Sequence, residues 1–232
     1  MSRPSRAAPH RPARRRKVPR AQREVQMLDS ASRVFGQRGF HAASMDEIAR
    51  ECGVTKPMLY AYFDSKEGLF LAVVDRTGKA LLAAVERLLA EPDPRKRLND
   101  GADVILNYIA RDHHAWAVMY AEGLGESSVA RHVAGYRERI VHLTALTLAQ
   151  ARPASLATPA GRQHAELYAV ALIGAGEALA RWWLDRQGIS AADLQAMGRR
   201  MVDAILGDFL AAPARVTSGT SPKAPGAPNS LN

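Results

Sequence analysis

Residues 44–63 constrain this chain more than any other stretch. Ser44-Met-Asp-Glu47 has capping-box spacing, so the serine hydroxyl and the Glu47 carboxylate can each satisfy an N–H group left open at a helix start. Gly53 can take the positive φ that a sharp turn requires. Thr55 and Pro57 then open a second short helix, in whose first turn a missing N–H costs little. Ile48, Ala49, Val54, Leu59 and Phe63 fall where two short helices crossing at a large angle share a small core. The expected unit is helix, glycine turn, helix.

Its surroundings read as more helix. Val25, Leu28, Ala31, Val34 and Phe35 recur on one face of a segment over 20–38 that Gly39 can end, and Asp64 or Ser65 caps a long helix reaching about residue 89. Past Pro92 and Pro94, helical stretches are expected at 95–110, 113–122, 127–151, 161–187 and 190–211. With no long run of alternating β-branched residues and no fixed-period repeat, the fold class is all-α. The expected division is a disordered basic arm over 1–20, a helix-turn-helix domain over 21–67, a larger helical domain over 68–212 and a disordered Pro/Ser/Gly/Ala tail over 213–232.

The charge belongs to the arm. Of the 32 Lys and Arg residues, nine lie in residues 1–23 with no acid among them, and the remaining 23 balance the 23 Asp and Glu, so the arm together with Arg23 accounts for the whole net charge of +9. Such a segment attracts any polyanion. The single cysteine, Cys52, allows no internal disulfide and reads as a core residue. With no secretory signal and no apolar run long enough to span a bilayer, a cytoplasmic protein without membrane contact is expected.

A helix-turn-helix has a direct use, because the DNA major groove admits one α-helix and its N-terminal side chains meet the base edges. Here those are Thr55, Lys56, Pro57 and Met58, with Lys56 suited to a guanine edge and Pro57 and Met58 to a thymine methyl. Tyr60, Tyr62 and Lys66 would offer hydroxyls and an ammonium to phosphates, as would the open N–H groups starting the second and fourth helices.

Phe35, Gly39 and Phe40, then Ser44-Met-Asp-Glu-Ile-Ala, Gly53-Val-Thr-Lys-Pro-Met-Leu-Tyr-Ala-Tyr-Phe and Ser65-Lys-Glu-Gly-Leu, resemble the N-terminal signature of TetR/AcrR-type transcriptional regulators. The resemblance covers about residues 24–70. It implies a homodimer that binds double-stranded operator DNA of roughly palindromic sequence, and a repressor released by a small, largely apolar effector. By position it makes Ser44, Met45, Thr55, Lys56, Pro57, Met58, Tyr60, Tyr62 and Lys66 DNA-contacting residues, and Leu59 and Phe63 core residues. Asp46 departs from it with a carboxylate that would repel phosphate, and Ala61 with a side chain too short to reach the backbone.

In the second half, Tyr108, Trp116, Met119, Tyr120, Tyr136, Trp182 and Trp183 could line an effector pocket, with Tyr108 and the helix carrying Trp116, Met119 and Tyr120 as its expected wall, although core packing or a dimer interface would use the same residue types. The small-residue stretch 169–180 and the apolar stripe Leu194, Met197, Met201, Ile205 and Phe209 suit a four-helix dimer seam or an intramolecular bundle. His113, His114, His132, His142 and His164 lack metal-ligand spacing, and no nucleophile elbow, phosphate loop or dinucleotide fingerprint occurs. Neither a metal, a cofactor nor an enzyme is therefore expected. The competing function is nonspecific nucleic-acid binding through the arm.

Overall fold

Apolar residues returning every three or four positions turn one stripe of each segment inward, and the result is an all-α chain. The computed structural model describes residues 19–119, 128–184, 186 and 188–212. Among these the helices are α1 (Arg20–Ala42), α2 (Met45–Cys52), α3 (Lys56–Phe63), α4 (Lys66–Arg87), α5 (Pro94–Arg111), α6 (His113–Met119), α7 (Ser128–Ala151), α8 (Pro159–Leu184) and α9 (Ala191–Ala211). Most of the arm, the tail and Tyr120 lie outside the described residues. None of the described helices is long and apolar enough to cross a membrane.

Local chemistry sets the ends. Gly39, at φ 73° and ψ 170°, breaks α1 one turn before its last residue. Ser44 caps α2 by accepting from the Glu47 N–H at 3.1 Å, but only half of the expected capping box forms, because the Glu47 carboxylate turns to Arg38 at 3.4 Å. Gly53 ends α2 in the left-handed region at φ 69°. Ser65 is the residue that caps α4, accepting from the Gly68 N–H at 2.9 Å. The α-helix stops at Arg87, and residues 88–90 tighten into a 3₁₀ turn before Pro92.

The first three helices are not a separate bead. Phe35, Ile48, Leu59, Phe63, Leu69 and Phe70 form one buried cluster that also takes in Val118 and Met119 of α6 and Val129 of α7. Phe70 meets Phe35 and Phe40 edge-on, with ring centroids 4.9 and 5.1 Å apart. Each fully buried side chain here contributes about 1.5–3 kcal/mol. Helix α4, some 33 Å long by helical rise, runs from this cluster into the packing of α5 to α9, where Leu81, Leu106, Ile109, Trp116, Ala180 and Leu194 form another core.

Candidate DNA-reading surface and effector cavity

Two buried residues hold the second short helix in place. Leu59 and Phe63 face inward, which leaves Thr55, Lys56, Pro57, Met58 and Tyr60 exposed along the outer face of α3. Thr55 occupies the N-cap position in extended conformation, yet its hydroxyl makes no capping bond. The turn into α4 is tight, since a Cβ at Gly68 would stand 2.2 Å from the Phe63 carbonyl oxygen. Any larger residue there would push α3 off its seat.

The structure leaves most of the expected DNA-contacting residues exposed and gives two of them, Met45 and Lys66, contacts within the fold. Ser44, Thr55, Lys56, Pro57, Met58 and Tyr60 are exposed, and Tyr62 is half-buried with the Arg20 guanidinium 4.8 Å above its ring. Met45 does not belong with them. Its side chain is 4% exposed and packs in the core, because the first residue of α2 lies on the same helical face as Ile48 and Ala49. Lys66 is not a loose ammonium either: Nζ donates to the carbonyls of Ala43 at 2.8 Å and His41 at 3.2 Å and sits over the Phe40 ring. It ties the α1–α2 connection to the start of α4.

Asp46 has a role that spacing did not reveal. Its Oδ2 accepts from Lys56 Nζ at 2.8 Å, and that hydrogen bond raises the Lys56 ammonium above its ordinary range. The carboxylate on α2 thus holds the lysine that opens α3.

Helices α4 to α9 enclose a cavity of about 130 Å³, comparable with the roughly 150 Å³ apolar cavity that stays dry and takes up benzene. Its wall is mostly aliphatic, with Leu81 and Val85 from α4, Ile105 and Leu106 from α5 and Leu172 and Ile173 from α8 among the lining residues. Trp116 and Met119 line it as expected. Tyr108 does not, because it lies beyond the lining positions of α5, half-buried against the core that contains Leu81 and Ile109. Tyr136, on α7, lines it as well.

Tyr136 also touches the helix that leads to α3. Its hydroxyl donates to Asp75 Oδ1 at 3.0 Å, and its ring occupies the space where a Cβ at Gly78 would stand, 2.5 Å away. Asp75 also receives Lys79 and His132. Partial burial pushes the Asp75 carboxyl up, but the bonds from Lys79, His132 and Tyr136 outweigh it and hold the group at about 2, below its ordinary 3.8. The fit of Tyr136 against a glycine of α4 is a tertiary fact that no periodicity in the sequence announces. Among the described residues no cluster of three His, Cys, Asp or Glu is placed to hold a metal.

Comparison with known proteins gives this arrangement its context. Residues 27–73 match the description "Bacterial regulatory proteins, tetR family", and residues 94–207 match "Tetracyclin repressor-like, C-terminal domain". The chain is 34% identical over 171 residues to the HTH-type transcriptional activator FasR of Mycolicibacterium smegmatis, which covers 73% of this chain and 75% of that protein. A TetR-like transcriptional regulator from Rhodococcus sp. RHA1 superposes with a TM-score of 0.70 at 33% identity, over 85% of this chain and all of that one. FadR from Bacillus subtilis, solved in complex with stearoyl-CoA, shares the fold at 16% identity and a TM-score of 0.65, over 78% of this chain and 97% of its own.

Proposed function

The chain belongs to the tetR family of bacterial regulatory proteins, and we propose that it is a dimeric operator-binding repressor released by a small, largely apolar effector held between α4 and α9. The observation that carries the reading is the exposed N-terminal face of α3, coupled through α4 to an aliphatic cavity. Thr55, Lys56, Pro57 and Met58 would read base edges, while Ser44, Tyr60 and Tyr62, with the open N–H groups starting α2 and α4, would position the phosphates. The basic arm would add salt-dependent affinity without sequence choice.

A second copy fits the outer faces of α8 and α9. Leu167, Val170, Ala171, Ala175 and Ala178 make an exposed stripe on α8, and Met197 and Ala204 share an exposed face of α9. Nothing lies within 4 Å of where a Cβ at Gly174 would stand. Among the described residues nothing packs closely on that glycine, which leaves its face of α8 to a second copy; of the apolar stripe of α9, by contrast, Leu194 and Phe209 are buried within the single chain and Met201 lines the cavity. Such a dimer would hold its two α3 helices about one DNA turn apart, ~34 Å. An effector against Tyr136 would shift α4 and change that spacing. A coupling of about 1–3 kcal/mol is enough to regulate. Whether lost binding lowers or raises transcription depends on where the operator lies; repression is the outcome when it overlaps the promoter.

Deleting residues 1–20 tests the reading against arm-driven binding. A repressor should lose salt-dependent affinity and keep its preference for one DNA sequence over random duplex. If the deletion abolishes all binding, the reading of α3 as the sequence-selective element is wrong.

A further inference from the structure

Three charged residues line the cavity, Arg97, Arg137 and Glu177. Arg137 and Glu177 pair with each other at 2.9 Å, which leaves Arg97 as the one of the three with no charged partner among the described residues. It stands in the first turn of α5, 9% exposed, and lines the cavity beside Leu98. Its Nε and Nη2 donate to the Glu91 carbonyl at 3.0 and 2.5 Å, and its Nη1 to Gln150 Oε1 at 2.5 Å. Those acceptors are neutral. The Glu91 carboxylate is taken by Lys96 at 2.6 Å and by the Asp93 N–H at 3.2 Å, and among the described residues no carboxylate lies within ion-pair distance of Arg97.

A buried cation is costly without a counter-charge. This one also sits at the positive end of a helix dipole, where an anion is favoured. A guanidinium has five N–H donors, so two remain beyond the bonds above. Nearby on α7, the Thr144 and Thr147 hydroxyls donate to the backbone at Ile140 and Leu143, which leaves Arg97 as the donor at that end of the cavity. From there to Tyr136, Trp116 and Met119 the lining is mostly aliphatic, the Arg137–Glu177 ion pair being its charged exception.

We propose that the effector is a long-chain aliphatic carboxylate, its carboxylate paired with Arg97 and its chain running along α7 toward Tyr136; such a chain exceeds the cavity's 130 Å³, so it enters only by parting α4 from α7. This rests on the cavity being the effector site, as read above. Thr147 and Tyr136 are eleven residues apart on α7, ~17 Å by helical rise, so only a long chain anchored at Arg97 reaches the residue that contacts α4. Chain length, beyond mere occupancy, then sets the response.

Calorimetry on the full-length protein tests this with four probes: hexadecanoate, hexadecanol, octanoate and hexadecanoyl-CoA. Hexadecanoate should bind at least about tenfold more tightly than hexadecanol, as a charged hydrogen bond lost from a buried site implies. It should release operator DNA, and octanoate, if it binds, should not. Arg97→Gln should erase the preference for acid over alcohol, and Arg97→Lys should keep part of it. Equal affinity for acid and alcohol, no binding of the acid, or binding confined to the CoA thioester would overturn the proposal. If Arg97→Gln does not fold, the headgroup comparison on the unaltered protein still decides. A protein that binds one operator selectively and releases it with another apolar compound, while ignoring the acids, refutes the carboxylate alone. A protein with no sequence preference refutes the regulator reading beneath it.

Discussion

Gly36 is where the DNA-reading helices lean on the cavity wall, and replacing it gives a measurable answer. A Cβ there would stand 2.7 Å from the His114 carbonyl oxygen, 2.8 Å from its Cα and 2.9 Å from its Cβ. Carbon contacts settle at about 3.5–4.0 Å, so α1 and α6 must part by roughly 1 Å. Two of the three atoms in the way are backbone and the third is the Cβ fixed to it, so none can rotate aside. Gly36→Ala gains about 1 kcal/mol of helix propensity, but overpacking costs 1–3 kcal/mol, for a net loss near 1 kcal/mol. In a protein of this size that lowers Tm by roughly 2–4 °C. Gly135, in α7, is the control, because nothing lies within 4 Å of its missing Cβ; Gly135→Ala should raise Tm by a similar amount. Calorimetric melting of both variants, with operator affinity measured in parallel, checks the argument. Gly36→Ala should also weaken ligand-free operator binding, since α1 loses its seat against the helix carrying Trp116 and Met119. If Gly36→Ala stabilises the protein as much as Gly135→Ala does, direct contact between α1 and the cavity wall is refuted.

Asp46→Asn should release Lys56 to phosphate, raising affinity for random duplex and steepening the slope of log affinity against log salt by about one unit; an unchanged slope means that the 2.8 Å pair does not restrain the lysine. For Asp75 the folded carboxyl lies near 2, below its ordinary 3.8, so its stabilisation is present above about pH 4 and is lost as pH falls through about 2. Asp75→Asn should accordingly be less stable at neutral pH, with the gap to the unaltered protein closing between about pH 4 and 2 in acid titrations followed by circular dichroism. Val170→Arg places a charge on the exposed α8 stripe, and sedimentation velocity should show monomer together with weakened operator binding; a dimer that persists moves the seam elsewhere.

Much of the DNA-reading end was legible because its information is local. Gly53, Ser65 and the spacing of Ile48, Leu59 and Phe63 act through backbone geometry within a few residues, and the structure uses each as the sequence implied, while Ser44 caps α2 without the reciprocal bond from Glu47. Met45 was misread because resemblance assigns a position to a contact, whereas the phase of an eight-residue helix decides which face is buried. Lys66 was misread for a different reason: its acceptors, the carbonyls of His41 and Ala43, become adjacent only after α1, α2 and α4 pack. The cavity was legible as a region of α6. That Tyr108 packs beyond it, that Tyr136 fits against Gly78, and that Arg97 stands buried without a carboxylate all depend on how α4, α5 and α7 pack together.

The central claim is that Thr55 and Met58, at the start of α3, choose the DNA sequence. Selection of bound duplexes from a random pool, with the full-length protein at physiological salt, tests it most directly. The account predicts a two-fold symmetric site with half-sites about one helical turn apart. Thr55→Ala and Met58→Ala should each relax the choice at one or two positions per half-site, with the salt dependence unchanged. A pool that converges on no sequence, or on one indifferent to both substitutions, would contradict it.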